Sequence, residues 1–376
     1  MATKRITVQN VKTTGTVKMA APPPAPPPPP KTNWRVGPSG SGSDFTTLTA
    51  ALSDSRVKDG HKLVIKNGTY TNIFMSVPIT KSVQIWGESS SVIIQGSGTL
   101  FRCDAPNIVL GSLTIRQTSA GGSVGAISIT RPDVVVRDCN IEFDHAGITT
   151  NSVGFTIYNC YFYKMHGSTN NSGGYHGVKI QSLIDTSMLR TSFVYQNYFR
   201  NNLNATNFNV VNVSPTAGVL MIAYNQLQQG QSRHFIFNEN FSNPAGNTAF
   251  YDLIVINNIS NETDSFVTMN SSWNTNKVRF TVQGNTITNI QGKGLIAAVR
   301  SASSSFGNAP LRYGPNTRLN SGSPISGFNA ASMNPFSNNN EWIVTKSPTT
   351  ASLAYTTSTN IGTIPSIRSL PTNPGF

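Results

Sequence analysis

Acidic side chains are scarce in this chain. Its 376 residues hold 15 Asp and Glu against 28 Lys and Arg, and charged residues make up 11% of the total, where about 25% is usual. So little charge argues against a helical protein, whose exposed faces need Lys and Glu. Cysteine is nearly absent too. Three residues, Cys103, Cys139 and Cys160, are an odd count and give no disulfide framework. No apolar run approaches 18 residues, which argues against a membrane-spanning helix, and the N-terminus has no apolar signal core. The expectation is a protein made in a reducing cytosol, or one that leaves the cell without a cleaved signal. Histidines lack metal-ligand spacing such as His-x-x-x-His, and no phosphate loop, nucleophile elbow or nucleic-acid module is present. No cofactor or metal is expected.

What fills the gap is Asn, Ser, Thr and Gly, which suits stacked strands with polar turns. One pattern recurs from Val134 to about Ile290. Its template is Val134, Val136, Cys139, Ile141, and it returns as Phe155, Ile157, Cys160, Phe162. Later copies are Val194, Asn197, Phe199, then Leu220, Ile222, Asn225, Leu227, and finally Phe280, Val282, Asn285, Ile287. A partial copy sits at Ile254, Asn257, Ile259. The Cys/Asn positions are spaced 21, 37, 28, 32 and 28 residues apart. Periods of that size mark a solenoid, in which each repeat buries its apolar face against its neighbours. Alternation within each copy has period two, so the unit is strand. Asn before the second short strand fits a bend, because it tolerates the left-handed region and can stack amide on amide. The predicted fold is all-β, a parallel β-helix, with Cys139, Cys160, Asn197, Asn225 and Asn285 in one column. The two aligned thiols read as small buried residues.

The chain divides into three regions. Residues 1–33 form an arm whose charged residues are Lys4, Arg5, Lys12, Lys18 and Lys31. Pro22 to Pro30 is proline except for Ala25, a run that favours polyproline II, spanning about 28 Å at about 3.1 Å per residue. Ile6, Val8 and Val11 could add an edge strand to a partner, and Lys4, Arg5, Lys12 and Lys18 could meet an acidic surface. The alternative is an unstructured tail. Residues 34–300 are the coil. Residues 301–376 lose the periodicity and keep isolated anchors such as Tyr313, Phe328, Trp342 and Phe376, which suits an extended tail. The net charge of +13 favours an acidic or polyanionic partner, or simply makes a basic surface.

The start of the coil carries the string Asp44 to Leu52, read as a short helix with Asp44 as N-cap and Phe45, Leu48 and Leu52 on one face. Then come a strand at Leu63–Ile65, the run Asn67-Gly68-Thr69-Tyr70, Val83, Ile85, Trp86-Gly87, and Val92–Ile94 with Gly96. This succession resembles the opening of right-handed β-helices of the pectin-lyase-like superfamily, and the resemblance covers about 44–300. It implies a right-handed coil whose open end is capped by the helix. It also prompts a search for enzymes. Calcium-dependent lyases of this kind carry an acidic cluster, but Asp138 is matched one repeat on by Asn159, and no carboxylate stack is present. The paired-Asp, Gln-Asp and Arg-Pro-Trp motifs of pectin esterases are missing. His176-Gly177-Val178-Lys179-Ile180 is similar to pieces of polygalacturonase motifs, without their Asp pair. His145 and His166 lie six residues past Cys139 and Cys160, so equal offsets place them on adjacent coils. With Asp144, His176 and Lys179 they could form a basic proton-abstracting site, or be turn histidines that happen to stack.

The preferred reading is non-enzymatic. Organisation similar to the minor capsid proteins of large DNA viruses, with a β body tied to neighbours by extended termini, implies a virion component assembled in the host cytoplasm. Its partners would be other capsid or assembly proteins. The alternative is a polysaccharide-active enzyme, lyase or tailspike-like depolymerase, or a carbohydrate-binding β-helix.

Overall fold

The computed structural model describes residues 31–319, apart from 72–77, 120–123, 165–174, 182–189, 202–207, 214–217, 230–231, 239–250, 262, 271–277, 284, 289–295, 301–310 and 314–316. Side chains of residues 164, 218, 228–229, 232–234, 237–238, 251–252 and, beyond 260, all but Asn285 are likewise outside that set. Contacts divide the chain into Met1–Lys31 and Thr32–Phe376, and the second unit carries every described strand.

Its strands form three parallel sheets. The first has eleven strands, from Asn33–Val36 to Leu311–Tyr313. The second has ten, from Gly68–Thr71 to Thr317–Leu319. The third has nine, from Pro78–Ile79 to Ile296–Arg300. Each coil visits the sheets in that order, as Val135–Arg137, Asn140–Phe143 and Ala146–Thr150 do. Strands that return to the same sheets in one sense, coil after coil, make a parallel β-helix, and parallel crossovers take the right hand. The last two strands, Leu311–Tyr313 and Thr317–Leu319, pair with Phe280–Val282 and Thr286–Thr288. Coiling therefore continues past residue 300, the end expected from periodicity.

The repeated pattern points inward as expected. Val134, Val136, Ile141, Phe155, Ile157, Phe162, Ile222 and Leu227 are each at most 1% exposed. Successive coils align Val136 with Ile157, Val194 and Ile222, and Ile141 with Phe162, Phe199 and Leu227. Phe162 and Phe199 stack at 4.7 Å and 11° between planes. Val282 and Ile287 continue the register by backbone pairing. Sequence showed two strands per repeat. The third sheet escaped it because Tyr175–Ile180 and Phe208–Val213 are buried almost throughout and show no alternation.

The bend between the first and second sheets is tight and recurrent. Asp138, Asn159, Gln196, Tyr224 and Asn257 take φ of 50–57° there. The residue after each, Cys139, Cys160, Asn197, Asn225 or Asn258, turns inward and is buried. Two expectations change. The column residue itself is not the left-handed one, and the partial copy contributes Asn258, not Asn257. The left-handed residue makes the corner with its side chain outside, at about 1–2 kcal/mol for a residue with a Cβ. The next side chain is then carried inside, where the neighbouring coil's N–H needs an acceptor. Asn197 Oδ1 accepts from Cys160 N at 2.9 Å. Asn225 Oδ1 accepts from Asn197 N at 3.0 Å, and Asn258 and Asn285 continue the ladder at 2.9 Å each.

The cysteines are free and buried. Burial pushes the Cys160 thiol well above its ordinary range, with Cys139 beside it adding to the shift, and burial raises Cys103 likewise. Thiolate is the reactive form. Native protein is therefore expected to leave all three unmodified by Ellman's reagent over an hour, and to titrate three thiols at once in denaturant. Fast labelling of Cys139 or Cys160 in native buffer would contradict their place inside the bend.

At the N-terminal end a helix, Leu48–Ser53, packs Leu48, Ala51 and Leu52 into the same core as Trp34, Val36 and Leu63. It covers the open cross-section of the first coil, the exposed edge a solenoid must protect. The helix is shorter than expected, and Thr47 is its N-cap, accepting from Ala50 N at 3.0 Å. Asp44 instead accepts from Arg35 N at 2.8 Å, and Phe45 bridges to Val36, so strand pairing takes the residues before Thr47.

Candidate functional site

The structure brings two of the proposed catalytic residues, His145 and His176, together. His145 precedes the strand Ala146–Thr150, and His176 lies in the next coil, where it pairs with Ala146. Their rings are 6.0 Å apart, edge to face, with Tyr175 6.2 Å from His145. His145 is 0% exposed and His176 1%. His176 Nδ1 lies 3.3 Å from the side-chain amide nitrogen of Asn209, so with that amide donating, Nδ1 is an acceptor. His166 lies outside the described residues. Lys179 is half-buried in the column Thr149–Lys179–Asn212 of the third sheet. The third-sheet register brings His176 beside His145. A proton-abstracting site must let substrate reach its base, and this pair is enclosed.

Carboxylates on the described coil are largely committed to arginines. Glu142 pairs with Arg116 at 2.5 Å, Asp138 with Arg137 at 2.6 Å, Asp104 with Arg102 at 2.6 Å, and Asp133 with Arg190. Asp54, beside Arg56, is pulled down to about 2 by that guanidinium's hydrogen bonds. Among the described residues no three His, Cys, Asp or Glu side chains converge as metal ligands do. No helix among them is long and apolar enough to cross a membrane. The partner-binding residues proposed in the arm, Lys4, Arg5, Ile6, Val8, Val11, Lys12 and Lys18, lie outside the described residues.

A different cluster emerges on the outside of the tight bend. Tyr158 and Tyr195 pair in the first sheet, and their rings stack at 6.0 Å and 26°. Arg137 lies over Tyr158 at 5.4 Å from its centroid, and Tyr224 closes on Tyr195 at 5.3 Å. Burial, with the neighbouring phenols Tyr224 and Tyr158, raises the Tyr195 hydroxyl above its ordinary value. Across the bend, Tyr161 pairs with Tyr198, and Tyr163 with Arg200, whose guanidinium sits 5.6 Å from the Tyr163 centroid. Tyr198 is 39% exposed, Tyr224 47% and Ile259 40%. The sequence carries the signal, Tyr158-Asn159-Cys160-Tyr161 and Tyr195-Gln196-Asn197-Tyr198, with tyrosines two before and one after the column residue. A search for inward positions passes over it, because these side chains point outward.

No protein-family profile matches the chain, and no curated protein matches its sequence. Similar solved structures include a pectin methylesterase from Erwinia chrysanthemi, 13% identical at a TM-score of 0.36, covering 74% of this chain and 91% of that one. A protein of Geobacillus virus E2 is 12% identical at 0.36, covering 72% and 56%. The Dettilon tailspike protein is 13% identical at 0.34, covering 68% and 64%. At these scores the similarity decides nothing about activity. The chain is, by its own strand pairing, a right-handed parallel β-helix.

Proposed function

We propose that the chain is a non-enzymatic structural component of a large assembly, a minor capsid protein of a virion. Its coil is the body, and residues 1–31 and the chain beyond Leu319 tie it to neighbouring capsid proteins. The observation that supports this most is where the coil's polar chemistry goes. The histidines His145 and His176 are enclosed, and most described carboxylates are held by arginines of the same or a nearby coil. The basic, proline-rich arm supplies reach and charge for docking.

The test is assembly. A chain lacking residues 1–31 keeps the cap and every described coil, and is expected to fold with the melting behaviour of the intact chain. It should be missing from purified particles, or present at well under a tenth of normal occupancy. Equal incorporation would remove the arm from the proposal. The polysaccharide-active alternative makes the opposite forecast for the purified protein, the release of unsaturated uronides from pectate, alginate or hyaluronan, abolished by His166→Ala or Lys179→Ala.

A further inference from the structure

We infer that the tyrosine face outside the bend is a docking site for an extended proline-rich segment, and that the segment it takes is the Pro22–Pro30 run of a second copy of this chain. The inference rests on the assembly role proposed above for its purpose, but its chemistry can be measured separately.

The face is a ladder with a definite spacing. In the second sheet Tyr198 pairs with Gln226, and Gln226 with Ile259. Two exposed apolar side chains therefore lie two coils apart, with an amide between them. Parallel strands are about 4.8 Å apart, so two coils advance about 9.6 Å. Polyproline II repeats every three residues, or about 9.3 Å. Prolines three apart on one edge of such a helix meet Tyr198 and Ile259 in turn. The Pro22–Pro30 run is long enough to cover the distance about three times.

Chemistry matches as well. A proline segment has no N–H to donate, so it offers apolar rings and carbonyl acceptors. Its partner must supply aromatic or apolar surface and hydrogen-bond donors. Here these are the phenols of Tyr161 and Tyr198 and the amides of Gln196 and Gln226, of which Gln196 is exposed. The exposed apolar area, three side chains at about two-fifths each, is on the order of 250 Å2. A globular partner covers about 800 Å2 on each side, so a slender ligand fits better. A phosphate chain needs several uncommitted cations, whereas Arg137 and Arg116 at this face are already paired with Asp138 and Glu142, which leaves Arg200, over the Tyr163 ring, as a single further guanidinium.

The experiment titrates a fluorescent peptide of residues 18–32 into the full-length protein and follows anisotropy. Saturable binding is expected. Tyr198→Ala and Ile259→Ala should each weaken it about tenfold, as removal of a central anchor does. Val124→Ala, at an exposed apolar residue elsewhere, should leave it unchanged. A peptide with its prolines replaced by Ser and its lysines kept should not bind. Tyr198 and Ile259 are both exposed, and unchanged thermal melting of each variant shows that folding is intact. Absence of peptide binding, or equal binding by both variants, overturns the inference. So does binding of a hexuronate oligosaccharide at this face with no binding of the peptide. Loss of peptide binding with arm-dependent incorporation intact would sink this docking site alone. Peptide binding with normal incorporation of the truncated chain would sink the assembly role alone.

Discussion

Asn225→Leu is expected to lower the free energy of unfolding by about 2–4 kcal/mol, read from urea or thermal denaturation. Leucine nearly matches asparagine in shape, and Leu113 follows left-handed Ser112 in an earlier coil, so packing at such a bend tolerates it. What goes is the ladder. Asn225 Oδ1 accepts from both Asn197 N and Asn197 Nδ2 at 3.0 Å, and Asn225 Nδ2 donates to Val194 O at 2.8 Å and to Asn258 Oδ1 at 3.0 Å. Without the side chain, the Asn197 N–H loses its acceptor inside a core where water cannot replace it. A buried donor left unmet costs about 1–3 kcal/mol. The weakened neighbours above and below add to this, since such chains of amides strengthen one another. Tyr224→Ala, one residue away but outside, should cost far less. Equal effects from the two would mean that the ladder adds no stability beyond the bend itself.

Gly177→Val is expected to abolish soluble expression or to cost more than about 3 kcal/mol, the upper end of overpacking. A Cβ on Gly177 would lie 2.6 Å from Phe199 Cε1 and 2.7 Å from Val210 O. Gly147, one coil below, is equally tight, at 2.7 Å from both Phe162 Cδ1 and Gly177 O. The two glycines thus face the stacked Phe162 and Phe199 rings. Ordinary carbon contacts are about 3.5–4.0 Å, and a backbone carbonyl held in a sheet cannot retreat. Gly177→Ala should already be destabilising, and Phe199→Leu in the same chain should recover part of the loss by freeing ring volume. A Gly177→Val chain that melts like wild type would show that this corner is loosely packed.

The surroundings of Gly177 are not legible in the sequence. There, His176-Gly177-Val178-Lys179-Ile180 reads as a fragment of catalytic motifs. In the fold Gly177 is small because a phenylalanine from the second sheet occupies the space beside it, and His176 is buried against His145. Neither fact is local. The sequence by itself determined what repeats within a few residues: period-two strands, the inward column from Cys139 to Asn285, the apolar residues of the cap and the proline-rich arm. These come from alternation across a strand and from turn preferences, which act between near neighbours. Only the tertiary structure decided which coil lies on which residue of the next. Column spacings vary, 37, 28, 33 and 27 residues from Cys160 onward, so loop lengths hide the register. Parallel pairing then placed Asn258 rather than Asn257 in the ladder, brought His176 beside His145, and gathered Tyr158, Tyr161, Tyr195 and Tyr198 onto one face. Hydrogen bonds between whole coils fix that register, and their partners lie about twenty to forty residues apart along the chain.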